Sequence, residues 1–87
     1  MTDLATTLAN ATMRAAVDII IRRQIDRATL DLDALTLALR REVLAGYDTL
    51  VAEMADAQFM GEAMLSAILS ATATMMAIAA LKSMGVL

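Results

Sequence analysis

The side chains with chemistry to offer are ten carboxylates, six arginines, one lysine and a scatter of hydroxyls; the chain has neither histidine nor cysteine. Imidazole acid–base chemistry, thiolate nucleophiles, disulfides and the usual zinc ligands are therefore excluded. Asp31, Asp33 and Glu42 stand at positions 1, 3 and 12 of a calcium-loop pattern, but position 5 is Leu35 and position 6 is Thr36. A calcium loop needs an oxygen ligand and a turn-making glycine there, so these aspartates are expected to cap a helix instead. Ser66 and Ser70 lack any histidine to activate them. Glu42, Glu53, Asp56 and Glu62 fall on an outward helical stripe rather than converging as an acid–base pair. Nothing gathers into a site, and a non-enzyme without cofactor or metal is expected.

Arg22, Arg23 and Arg27, and the pair Arg40–Arg41, could in principle meet phosphates. Each group has acidic helical neighbours and no interleaved aromatic for base stacking. Charge is also unevenly distributed. Residues 1–30 hold four arginines and three aspartates, 31–62 hold seven carboxylates and two arginines, and 63–87 hold only Lys82. An acidic middle argues against nucleic acid, whose phosphates require clustered cations. The opening Met-Thr-Asp-Leu lacks the basic region of a secretory signal, which makes the cytoplasm or a macromolecular assembly the expected location, with a membrane as the alternative.

These side chains must be carried by helices. There is no proline, glycine occurs three times, and alanine, leucine and methionine dominate where strands would call for β-branched and aromatic residues. The chain reads as one all-α domain, a helical hairpin or three-helix bundle, with helices near 3–28, 33–60 and 62–84, the last two either separate or fused. In the first, Met13, Val17, Ile20, Ile21, Ile25 and Ala28 share one side, while Arg14, Asp18, Arg22 and Asp26 alternate in sign at i,i+4 as a solvated ladder. Thr29, Asp31 and Asp33 supply N-cap oxygens for the second. Gly85, with Lys82 in the last turn and Leu81 placed to touch Val86, predicts a Schellman stop near Met84. Gly61 is either a kink or a turn, and Gly46 is a rival break.

A 4-3 alternation runs through Val43, Tyr47, Leu50, Met54, Ala57, Gly61, Met64, Ile68, Ala71, Met75 and Ile78. Such a sustained heptad is the mark of a coiled-coil or bundle seam. Val43, Tyr47, Leu50, Met54, Met64, Ile68, Ala71, Met75 and Ile78 are the expected interface of a homo-oligomer or larger assembly.

The segment 63–81 sharpens this. Nineteen residues between Glu62 and Lys82 carry no charge, and as a helix they reach roughly 28 Å, near the ~30 Å hydrocarbon core of a bilayer. A transmembrane or tail-anchor helix is one reading. Four hydroxyls, abundant alanine, an acidic N-terminal flank and no aromatic belt make insertion marginal. The other reading is a helix covered by protein. If roughly 400–500 Å² of apolar surface stayed wet, about 10–12 kcal/mol would be forgone at about 25 cal/mol per Å², as much as a small domain's whole stability. A structural or interaction subunit completed by its own copies is thus expected, with a small membrane protein as the alternative. Five methionines between Met60 and Met84 suit adaptable contacts, so a soluble regulator docking this helix into another protein is a weaker third.

Overall fold

The computed structural model describes residues 3–57 and 61–87. It contains three helices, α1 (Leu4–Arg22), α2 (Leu32–Ala57) and α3 (Glu62–Ser83), and no strand among the described residues. The expected end of the second helix, at residues 58–60, lies outside the described residues, as does Met60.

Each described boundary has a local cause. Asp3 caps α1, its carboxylate accepting from the Thr6 N–H at 2.7 Å. The helix then stops at Arg22, six residues short of the expected end. Gln24 adopts a left-handed φ of 53°, its N–H donates to the Ile21 carbonyl, and the Ile25 N–H reaches back to Ile20 at 3.0 Å. That is a Schellman closure on a residue other than glycine. The expected ladder is cut with it. Arg22 pairs with Asp18 at 3.0 Å, but Asp26 sits beyond the helix, where its carboxylate accepts from the Ala28 N–H.

Asp31 caps α2, accepting from the Ala34 N–H at 3.0 Å, while Asp33 falls within the first turn. Gly46 does not interrupt α2. Gly61, at φ 88°, precedes the first turn of α3 with Glu62 in it. At the far end Gly85 takes φ 77°, donates to the Lys82 carbonyl, and lets Val86 reach Leu81 at 3.1 Å. Val86 then folds against the core, so both halves of the predicted stop are present.

The helices pack as an up–down–up bundle about 44 Å long. Leu35 and Leu39 of α2 meet Ala77, Ala80 and Leu81 of α3 at one end; Val43 and Leu50 meet Ala73 and Met76 further along. The two helices are therefore antiparallel. Leu8 of α1 joins the second cluster, and Ala16 and Ile20 the first, so α1 runs antiparallel to α2 and parallel to α3. α3 packs on both partners, and the α1–α2 contact is the slighter one.

The inward stripe of α1 is Leu8, Thr12, Ala16 and Ile20, and only Ile20 of these belongs to the large residues that the periodicity picks out. Of those, Met13, Val17 and Ile21 are exposed. The reason is close approach: Ala16 packs with Ala77 and Ala80, and Thr12 meets Met76, and small side chains let helix backbones come together where bulky ones would hold them apart. Buried Thr12 causes no orphan, because its hydroxyl donates to the Leu8 carbonyl at 2.7 Å.

Candidate interaction surface

The expected seam is divided by this packing. Val43 and Leu50 are buried inside the single chain. Tyr47, Met54 and Ile68 are half-buried against the same cluster, and Ile78 is half-buried too. Ala71 is exposed, as is Met64, while Met75 is 71% exposed. The α2 half of the seam thus closes on the chain's own core, and much of the α3 half faces outward.

The physical cause lies in the reversal between the helices. A heptad keeps its phase only along one continuous helix, and here α3 returns alongside α2 after Gly61. Its inward stripe is chosen anew as Ala73, Met76, Ala77, Ala80 and Leu81. Three alanines carry that stripe. Alanine marks no face by hydropathy alone, so the 4-3 pattern falls on Met75 while the buried methionine is its neighbour Met76.

Between α2 and α3 this leaves a shallow groove. Ile68, Ala71, Met75 and Met76 line its α3 wall, with Gly46 and Leu50 on the α2 side and the carboxylates Glu42 and Glu53 also bordering it. Beyond it the outer face of α3 continues through Ala63, Met64, Ala67, Ser70 and Thr74, all exposed. The Thr74 hydroxyl turns back to the Ser70 carbonyl at 2.9 Å, which consumes its donor within the helix. Only 28% of the most apolar eighteen-residue window of α3 is buried. The α3 side of this surface is thus largely apolar and carries no charge between Ala63 and Leu81, while Glu42 and Glu53 edge it on the α2 side.

The other candidate groups are dispersed. Asp31 is engaged as a cap, and Asp33 and the carboxylates Glu53, Asp56 and Glu62 are exposed along separate turns. Ser66 and Ser70 border a groove between α1 and α3 beside Arg14 and Asp18, with no imidazole or thiolate to act on either. This arrangement can bind through shape and apolar contact, and no histidine or cysteine joins the carboxylates and hydroxyls that border its grooves. No family model matches this chain, and neither does any curated protein or solved structure.

Sequence reasoning missed the apolar residues that α1 and α2 turn outward. Leu37, Leu44 and Val51 are exposed on α2, at a spacing of seven residues, and Met13, Val17 and Ile21 are exposed on α1 at a spacing of four. Both regular spacings are visible in the sequence, but hydropathy alone gives no means of telling an outward stripe from an inward one.

Proposed function

We propose that this chain is a non-catalytic structural or interaction subunit that associates with its own copies, within a larger helical assembly, through the outer face of α3. The observation that carries the reading is the charge-free face from Ala63 to Ile78 left open by the single chain. Exposed apolar patches rimmed by polar groups characterise interaction surfaces. A second copy is the preferred occupant because it needs no further component, and small chains without disulfides or metals commonly gain stability by association. The interface contracts accordingly to Met64, Ile68, Ala71, Met75 and Ile78, with Tyr47 and Met54 at its edge and Val43 and Leu50 supporting it from within.

The test is the mass of the soluble protein. A soluble multimer whose mass Ala71→Arg or Met75→Glu reduces, to a dimer at most, supports the reading; both positions are exposed, so folding should survive. A soluble monomer refutes self-association and favours docking into a different protein.

One observation favours a second reading. Both α1 and α3 have the length and hydropathy to cross a membrane, and α3 has no charge between its ends. In this reading 63–81 is a transmembrane or tail-anchor helix. α1 is the poorer candidate because Arg14 and Asp18 lie within it, and charged side chains at bilayer depth are costly. Pelleting with membranes, released by detergent and not by salt, selects this reading over the first.

A further inference from the structure

The geometry points to a second self-association face on α2, where the outward stripe Leu37–Leu44–Val51 pairs antiparallel with the same stripe of another copy. Leu44 is 74% exposed, and Leu37 and Val51 are exposed as well. On a helical wheel Leu37 and Val51 fall within about 20° of Leu44 at 100° per residue. The core residues Leu35, Leu39 and Leu50 of the same helix are buried and lie on the other side. Leu44 borders an apolar groove shared with Met13 of α1, which widens the patch.

The charges around the stripe select the occupant. Leu37 and Val51 each stand seven residues from Leu44, and Asp48 stands four beyond it where Arg40 stands four before. With Leu44 on a two-fold axis, Leu37 of one copy meets Val51 of the other. Asp48 of each copy then lies level with the Arg40–Arg41 pair of the other, so opposite charges are matched twice. A parallel, in-register pairing would set arginine on arginine and aspartate on aspartate. Among the described residues Arg40, Arg41 and Asp48 form no ion pair within the chain and all three are exposed. Their charges are free to set register and orientation, which is how complementary charge chiefly acts at interfaces. The exposed stripe of α1 offers no such match, since a two-fold at Val17 would set Arg14 against Ile20.

This face is separate from α3 and goes beyond the association proposed there. An isologous α2 contact pairs two chains only; together with an α3 contact it would let the assembly extend past a dimer.

The absence of native cysteine gives a clean test on the full chain. The Leu44→Cys variant, mildly oxidised, should form a disulfide-linked dimer. Leu37→Cys alone and Val51→Cys alone should not, because each thiol would lie about 21 Å along the axis from its counterpart at 1.5 Å per residue. A mixture of those two variants should cross-link to each other. Adding Asp48→Arg to Leu44→Cys should suppress cross-linking at least tenfold, and adding Arg40→Asp and Arg41→Asp on top should restore it. Three results would overturn the proposal: Leu37→Cys alone cross-linking as readily as Leu44→Cys, no cross-link from Leu44→Cys, or no effect of Asp48→Arg. Ala71→Arg on the α3 face should leave the Leu44→Cys cross-link intact, so the two interfaces succeed or fail separately.

Discussion

The methyl group of Met76 occupies the notch that Gly46 leaves in α2; a Cβ at residue 46 would collide with Met76 Cε. On its other side the Met76 sulfur lies 4.0 Å from the Thr12 hydroxyl, so one flexible side chain joins all three helices. Glycine inside a helix costs about 1 kcal/mol relative to alanine, and this contact is what the glycine makes room for.

Gly46→Ala therefore sets two effects against each other, a helix gain of about 1 kcal/mol and displacement of the end of a buried methionine. Denaturant unfolding should place this variant within about 1 kcal/mol of the parent. Gly46→Leu, whose branched bulk has no room, should lose about 1–3 kcal/mol. Once Met76→Ala removes the obstruction, Gly46→Ala should turn stabilising, and the double-mutant cycle should report the coupling. Additive effects would mean that the two residues do not meet.

The two aspartates at the start of α2 are adjacent in pattern and unequal in role. Asp31 accepts the Ala34 N–H, whereas Asp33 sits in the first turn. Asp31→Ala should cost about 0.5–2 kcal/mol, as lost N-caps do. Asp33→Ala should forfeit only a dipole contribution of about 0.3–1 kcal/mol, and Asp31→Asn should stay close to the parent. Equal losses at both positions would reassign the cap.

What the sequence made legible follows from which residues act locally. Asp31, Gly85, Lys82 and Val86 mark helix ends through their own backbone and side-chain bonds, and the structure places those ends accordingly. Gln24 was illegible because its left-handed φ is imposed where Ile25 folds back on the core, and glutamine carries no signal for it. The phase of α3 was illegible for a different reason. A pattern built from Met64, Ile68, Met75 and Ile78 ranks residues by size, while three helices at close quarters select Ala73, Ala77 and Ala80. The candidate surface is the complement of that selection, so its α3 members were partly legible and the α2 stripe at Leu44 was not.

The cap of α1 should respond to acid. The Thr6 backbone N–H holds the Asp3 carboxyl below its ordinary range. A carboxyl lowered by folding adds stability above its unfolded pKa, about 3.9, and that stability is lost as pH falls through the lower folded value. The first turn of α1 should therefore fray below about pH 4, seen as faster exchange of the Thr6 amide. Asp3→Asn keeps a capping oxygen without the titration, so its Thr6 amide should respond less to pH over that range. An unchanged response in the variant would locate the acid sensitivity elsewhere.

The alanine stripe supplies the most direct check on how the bundle is assembled. Ala77 is fully buried between α1 and α2, while Ala67, ten residues earlier on the same helix, is exposed. Both sites have the same helix propensity and both become leucine at little intrinsic cost, so only their surroundings differ. Ala77→Leu must force α3 away from Ala16 and Leu39 and should lose about 1–3 kcal/mol, or more if the helices separate. Ala67→Leu should leave the stability of the monomer within about 0.5 kcal/mol, as surface substitutions do, and act on self-association instead. If the two losses proved equal, α3 would not present this face inward. The outward placement of Ala71 and Met75, on which the proposed contact depends, would fall with it.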